Sequence, residues 1–255
     1  MSDSKRFFQI IFISFCVFFF SWIFVYQTNI NKLAIQSEDT LPAVFLPVAI
    51  IKEKTLYLNS YYSMMIERYP HPDDKDQTRG LTPFYLKKIN QNYASAFTII
   101  TPLISLPVYF LPLKLGMTVT WENLIILSKI SSSLIMALAG GFLYLLLKKQ
   151  FSLDEKKALI LTIIYLFGTV NFAMLSQSMW QHGTLQLFSI LGLYFILDLV
   201  KSPNFKPFSA FLGGLFYGLA VLSRPTVALA LGLVGLFMLF KMGNFKSFFK
   251  AGFFT

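Results

Sequence analysis

The sequence predicts an all-α polytopic membrane protein with about six transmembrane helices and one long external loop containing short surface helices. Hydrophobic residues make up 55% of the 255 residues, and charged residues only 13%. A soluble domain carries about twice that charge density. The apolar residues also form blocks rather than amphipathic faces, which indicates that lipid is the solvent. The single cysteine, Cys16, excludes an internal disulfide and a cysteine metal cluster.

The first predicted element is an uncleaved membrane anchor over residues 7–26. This stretch holds no charged residue and follows Ser4-Lys5-Arg6. As a helix it spans about 30 Å, the thickness of a hydrocarbon core. A cleaved signal peptide has a shorter apolar region and a small-residue cleavage site, whereas Gln27-Thr28-Asn29 follows here.

Five further apolar blocks predict the remaining spans: 123–147, 158–175, 183–197, 208–222 and 226–240. The last two are separated only by Arg224-Pro225. One continuous helix over both would be about 50 Å long, too long for a single crossing. We therefore expect a hairpin of two short helices that turns at Arg224-Pro225.

The segment 94–113 is apolar, but it contains Pro102, Pro107 and Pro112. An interior proline removes a backbone hydrogen bond and costs about 3 kcal/mol in a helix. The prolines therefore predict a broken helix that lies on the membrane surface or dips into it.

The charges support this choice of spans. If 94–113 does not cross, one side of the membrane carries eleven basic and four acidic residues, and the other side nine and eight. This asymmetry follows the positive-inside rule and predicts that both termini are cytoplasmic. It also explains the net charge of +10 without a nucleic-acid partner.

The topology divides the chain into three parts. Residues 1–27 form a cytoplasmic tail and transmembrane anchor, 28–121 an external loop with the proline-rich surface helix, and 122–255 a transmembrane helix bundle. The chain ends at Phe253-Phe254-Thr255, at the start of another apolar stretch. We therefore expect a truncated bundle, the N-terminal part of a longer protein.

Three groups of polar residues converge on the external face in this topology, within residues 37–40, 176–183 and 223–226. Glu38 and Asp39 are either a solvated pair near a helix end or the source of a general base for an acceptor hydroxyl. Arg224 either extends to the interface or binds a lipid phosphate through paired hydrogen bonds.

The middle group contains Trp180, Gln181 and His182. These residues fit an interfacial aromatic belt with polar neighbours, or a site where Trp180 stacks on a sugar and His182 bonds to hydroxyl or phosphate. The run His71–Asp76 has the composition of a metal cluster, but its alternating charges favour a solvated loop. Lys87-Lys88 fits an exposed pair or a contact with anionic headgroups.

Several segments carry a family resemblance in a fixed order: Glu38-Asp39-Thr40 with Leu41-Pro42-Ala43 and Leu46-Pro47, Tyr93-Ala94-Ser95 before Pro102 and Leu106-Pro107, Gly168-Thr169, the run 176–183 and the run 218–226. Together they resemble the membrane glycosyltransferases of the GT-C superfamily, which includes protein O-mannosyltransferases and aminoarabinose transferases. The resemblance covers most of the chain. The adjacent-proline pattern common in relatives is replaced here by Thr101-Pro102.

The resemblance implies inverting transfer of a sugar from a polyprenyl-phosphate donor, on the external or periplasmic face of the plasma or inner membrane. It implies Asp39 as the catalytic base, with Glu38 as the second choice. It also implies a donor site that includes Arg224 and His182, with Trp180, Gln181, Tyr93 and Ser95 as further substrate-binding candidates.

The expected partners are the sugar donor, membrane lipid and an acceptor glycan, lipid or protein. No cofactor is assigned, and the need for a divalent cation stays open. The alternatives are a non-enzymatic transporter or lipid-handling subunit and an inactive glycosyltransferase remnant. Transporters place ionisable residues near the bilayer midplane, whereas Lys129 lies only about seven residues inside its predicted helix.

Overall fold

The computed structural model describes residues 2–27, 37–202 and 204–242. Within these ranges the chain forms nine α-helices and one two-stranded antiparallel sheet. The helices and strands are α1 Asp3–Gln27, α2 Leu41–Val48, α3 Tyr62–Arg68, β1 Leu86–Ile89, β2 Asn92–Ser95, α4 Ile100–Lys114, α5 Trp121–Leu145, α6 Glu155–Phe167, α7 Gln181–Lys201, α8 Pro207–Ser223 and α9 Ala228–Met242.

Three helical stretches are long and apolar enough to cross a membrane: Asp3–Val25, Trp121–Gln150 and Gln181–Lys201. The apolar helices Ile100–Lys114, Pro207–Ser223 and Pro225–Phe237 are shorter. The predicted class of an all-α membrane protein is therefore confirmed. The number of crossings, about six, stays a prediction.

The helix bundle is centred on α5 and α7. Helix α7 packs most extensively on α8, and α1 lies along α5, which also contacts α6 and α7. Phe18 of α1, Met136 of α5 and Phe188 of α7 belong to one buried apolar cluster. These three helices therefore share a core rather than each facing lipid alone.

Glycines allow close approach between bundle helices. A side chain at Gly192 in α7 would overlap the ring of Tyr217 in α8, and one at Gly140 in α5 would meet Leu166 of α6 at 2.5 Å. Because lipid tails supply little hydrophobic driving force between helices, small residues at the contacts are typical of membrane bundles. The missing side chains at Gly192 and Gly140 thus leave room for Tyr217 and Leu166 of the neighbouring helices.

Residues 37–99 form a folded unit against one end of this bundle. All eight residues of α2 are buried, and α2 packs on α4 and α5. The sequence predicts short surface helices here, and for α2 that is wrong because Leu41–Val48 is apolar on every side and needs cover. Beyond it, β1 pairs with β2 in the register Leu86–Ser95 to Ile89–Asn92.

Helix α4 is continuous, so the predicted break at its prolines is wrong. Pro102 lies in the first turn, where a missing N–H would have no helical partner anyway. Pro107 and Pro112 are interior, but Thr101, Ser105 and other residues spaced by four form a buried stripe. Packing along this stripe stabilises the helix despite the lost hydrogen bonds.

The predicted break between the last two apolar blocks occurs at Arg224, which adopts an extended conformation after α8 ends. In the short turn that follows, Pro225 starts a single 3₁₀ turn before α9. Val234 of α9 packs against Ile196 and Ala210, near the other end of α7. Helix α9 therefore returns alongside α7, as the hairpin requires.

At the end of the α7–α8 pair opposite Arg224, a closed polar cluster joins the two helices. Lys206 Nζ donates to the Asp198 carboxylate at 2.9 and 3.1 Å. Ser209 Oγ donates to the same carboxylate at 2.6 Å. The charges of this cluster are thus satisfied within the fold.

Candidate active site

A cavity of about 220 Å³, partly open to solvent, is lined by Asp39, Phe97, Trp180, Gln181, His182 and Arg224. These residues come from distant parts of the chain: the turn before α2, the segment before α4, the start of α7 and the end of α8. Five of the six are site residues that the sequence predicts.

Asp39 reaches the cavity from a single 3₁₀ turn, Glu38–Thr40. Ser37 caps this turn, because its hydroxyl accepts the backbone N–H of Asp39 at 3.4 Å. Thr40 Oγ1 donates back to the carbonyl of Ser37 at 2.7 Å. These bonds fix the backbone that carries the Asp39 side chain.

Glu38 belongs to the same turn but faces different neighbours. It does not line the cavity. Burial raises the pKa of the Tyr85 phenol above its usual value, and the nearby charge of Glu38 raises it further. Glu38 therefore lies on the side of Tyr85, within the 37–99 unit, while its neighbour faces the cavity.

Arg224 and His182 form one wall of the cavity. Arg224 Nη1 lies against the ring nitrogens of His182, 3.2 Å from Nδ1. Thr98 Oγ1 donates to the carbonyl of Ser223 at 2.9 Å, which ties the end of α8 to the segment carrying Phe97. Within the described residues, the guanidinium of Arg224 forms no ion pair.

The beginning of α7 adds further polar groups to this wall. Gln181 and His182 are the first two helical residues, and a helix N-terminus carries a partial positive charge that favours anions. Trp180 Nε1 is buried and has no hydrogen-bond partner among the described residues. The wall thus offers a guanidinium and an imidazole, whereas the Trp180 N–H is buried and unpaired among the described residues.

The two remaining predicted site residues lie outside the cavity lining. Tyr93 stacks on Tyr62 with a centroid distance of 3.8 Å, so its ring is engaged within the 37–99 unit. Ser95 Oγ bonds to both the N–H and the carbonyl of Phe97, each at 3.0 Å. Ser95 therefore acts on the cavity only through Phe97, which sequence reasoning did not select.

The run 71–76 forms a loop whose residues are mostly exposed, with Asp74 as the exception. Asp74 is 3% exposed, and its carboxylate accepts the backbone N–H groups of Arg79 and Leu81 at 2.9 and 2.8 Å. In the part of the chain that the structure describes, no group of three or more His, Cys, Asp or Glu side chains is arranged to hold a metal. Lys87 and Lys88 are exposed on β1.

The cavity lining combines groups of opposite charge. It contains the carboxylate of Asp39 together with the guanidinium of Arg224 and the imidazole of His182. A family model described as dolichyl-phosphate-mannose-protein mannosyltransferase matches residues 102–253, more than half of the 255 residues.

The chain belongs to this family. The predicted resemblance to the GT-C superfamily is thereby confirmed, and the dolichyl-phosphate-mannose-protein mannosyltransferase family is one of polyprenyl-phosphate-sugar-dependent glycosyltransferases. The chain is accordingly a membrane glycosyltransferase of the mannosyltransferase type. Membership favours this enzyme class over the transporter alternative. No match is found among curated proteins or solved structures.

The family match covers one wall of the cavity and not the other. Residues 102–253 contain Trp180, Gln181, His182 and Arg224, whereas Asp39 and Phe97 precede the matched range. The match places these four residues within the family's range, and their role in a donor site stays a prediction. The assignment of Asp39 depends on the geometry of the cavity.

Proposed function

We propose that this chain transfers a sugar, mannose by its family, from a polyprenyl-phosphate donor to an acceptor hydroxyl, with inversion at the anomeric carbon. The observation that carries the proposal is that one cavity is lined by Asp39 together with His182 and Arg224. Residues so far apart in sequence meet there with the charges that the reaction needs.

In the proposed reaction, Asp39 accepts the proton of the acceptor hydroxyl while the oxygen of that hydroxyl attacks the anomeric carbon. The bond from that carbon to the phosphate oxygen breaks, and the lipid phosphate leaves with the bonding pair. Arg224 stabilises the charge that develops on the phosphate through charge-assisted hydrogen bonds. His182 and the N-terminus of α7 add to this stabilisation.

We further propose that the cavity opens on the external or periplasmic face. The excess of basic residues on the opposite side supports this orientation. It assigns residues 28–121 to the external loop and leaves 1–27 and 122–255 as the anchor and the bundle. The acceptor, a protein or a glycan, reaches the site from that face.

The test is mannose transfer from dolichyl-phosphate mannose in membranes that contain this chain, with labelled product counted in protein, glycan and lipid fractions. Asp39→Asn keeps the size of the side chain but removes the base, so we expect a loss of about 100-fold or more. Glu38→Gln is the matched control and retains activity within about threefold, a small effect expected away from the chemistry. Full activity in Asp39→Asn would refute the assigned base.

A further inference from the structure

The face of α5 that turns into the protein carries a run of polar side chains. Each is buried, with 1–3% of its surface exposed, and they are Ser128, Lys129, Ser131, Ser132 and Ser133. Buried polar groups cost folding free energy unless they are hydrogen-bonded. Their partners divide the run into two groups.

Two of the serines bond only within their own helix. Ser128 Oγ donates to the carbonyl of Ile125, and Ser131 Oγ donates to that of Leu127, each at 2.8 Å. Serines in membrane helices commonly satisfy themselves in this way. They serve as an internal reference for the others.

The other three residues reach across to the segment before α7. Ser133 Oγ donates to the carbonyl of Ser176 at 3.1 Å. Ser132 Oγ lies 3.0 Å from the same carbonyl and 3.0 Å from that of Ser128 in its own helix, so its one proton is shared between them. Lys129 Nζ donates to the carbonyl of Gln177. One helix therefore holds two successive carbonyls of a non-helical turn.

Lys129 is the unusual member of this group. Within the described ranges it has no ion-pair partner, and the ring of Trp22 lies 6.0 Å from its ammonium. A buried cation without a counter-charge opposes folding. Its nearest strong acceptor is the backbone of the turn, and its hydrogen bond to that carbonyl offsets part of this cost.

The turn touches both sides of the cavity. Ser178 Oγ lies 3.2 Å from Thr40 Oγ1, and Thr40 directly follows Asp39. Two residues after Ser178, Trp180 lines the cavity wall. A shift of the turn would therefore move the carboxylate and the opposing wall relative to each other.

We propose that Lys129, Ser132 and Ser133 are positioning residues that fix the turn Ser176–Ser178 and, through it, the distance between Asp39 and the Trp180–His182 wall. This inference rests on the proposed function of the cavity. None of the three contacts the cavity itself, so they act through the backbone that they hold.

The first experiment compares two double variants with the parent in mannose transfer from dolichyl-phosphate mannose. Ser132→Ala with Ser133→Ala removes both hydroxyls that hold Ser176. Ser128→Ala with Ser131→Ala removes two hydroxyls of equal burial from the same helix without touching the turn. Rates are normalised to folded protein, so that a difference in yield does not enter the comparison.

We expect the first pair to lower the maximal rate about tenfold to 100-fold, because misplacement by about 1 Å has effects of that order. The apparent KM for the donor changes little, since the alignment of the base matters in the transition state. The reference pair stays within about twofold of the parent, as substitutions away from such contacts do. Equal rates for the two pairs would overturn the proposal, because both would then be merely structural.

A second measurement does not need catalysis. In a Cys16→Ser background, Thr40→Cys with Ser178→Cys places two thiols where the hydroxyls lie in contact, near disulfide geometry. Adding Lys129→Met should slow disulfide formation about tenfold, whereas Lys129→Arg, which keeps a cationic donor, should slow it less. An unchanged rate with Lys129→Met would contradict the positioning role, even if the parent transfers no sugar.

Discussion

The paired helices α7 and α8 carry a charged cluster at each end, and the two clusters differ in how far the fold satisfies them. At one end, Asp198 accepts hydrogen bonds from Lys206 and Ser209. At the other end, Arg224 contacts the His182 ring and meets no carboxylate within the described chain. The closed cluster joins helices, whereas the open one keeps its charge available to an anion. The difference predicts which charges serve stability and which serve binding.

The largest effect on transfer is expected at Arg224, and Lys206 at the other end of the helix pair serves as its control. Arg224→Ala should lower kcat/KM for dolichyl-phosphate mannose about 100-fold or more, because the guanidinium would no longer stabilise the leaving phosphate. Lys206→Ala removes an ion pair whose lysine side chain is 47% exposed. Such pairs contribute about 1 kcal/mol or less to stability, so transfer by the folded variant should not change. Comparable losses of transfer in the two variants would remove the distinction between the ends.

A smaller effect is expected at the unused donor of the open end. Trp180→Phe removes the buried Nε1–H, which has no partner in the described structure. If this N–H binds substrate, transfer falls by roughly threefold to tenfold, the value of one neutral hydrogen bond. Thermal stability should stay equal or rise, because an unsatisfied donor is removed. A variant that loses stability but keeps its activity would assign Trp180 to packing alone.

The smallest effect is expected at Asp74, a carboxylate of the 37–99 unit that, unlike Asp39, lies outside the cavity and is hydrogen-bonded within the fold. Hydrogen bonds from the backbone of Arg79 and Leu81 hold the pKa of Asp74 below its ordinary value. The ionised form therefore stabilises the fold at neutral pH, and this contribution is lost as pH falls below about 4 through the lowered pKa.

Asp74→Asn should lower the midpoint of thermal unfolding by a few degrees at pH 7, a shift of ordinary size for one substitution, and by less at acid pH. Unfolding midpoints of parent and variant, followed between neutral and acid pH, test this expectation. Parallel pH profiles would show that Asp74 contributes nothing through its charge.

Sequence reasoning located most of the cavity because of where the polar residues stand. Trp180, His182 and Arg224 each lie where an apolar block ends, and the alternation of spans brings such ends together. The resemblance ranks Asp39 before Glu38, but which of the two side chains enters the cavity depends on the turn capped by Ser37. Phe97 was missed for a similar reason, as only its bonds to Ser95 direct it to the cavity.

Two other features depended on tertiary contacts that no local pattern contains. The carbonyl that Ser132 and Ser133 bind belongs to Ser176, more than forty residues away, so a serine run in an apolar helix gave no indication of its partner. The continuity of α4 was likewise decided by the packing of Thr101 and Ser105 rather than by its prolines. Local propensity predicted a break, and burial of one face overrode it.

The lack of a side chain at Gly192 has a consequence beyond its local contact with α8. This glycine lies ten residues beyond His182 in α7, about 15 Å along the axis. There it contacts Tyr217 of α8, the helix that ends just before Arg224. A side chain at Gly192 would overlap the Tyr217 ring, so the ring would have to shift or α7 and α8 would have to move apart. We therefore expect a larger residue at Gly192 to alter the spacing between the imidazole of His182 and the guanidinium of Arg224.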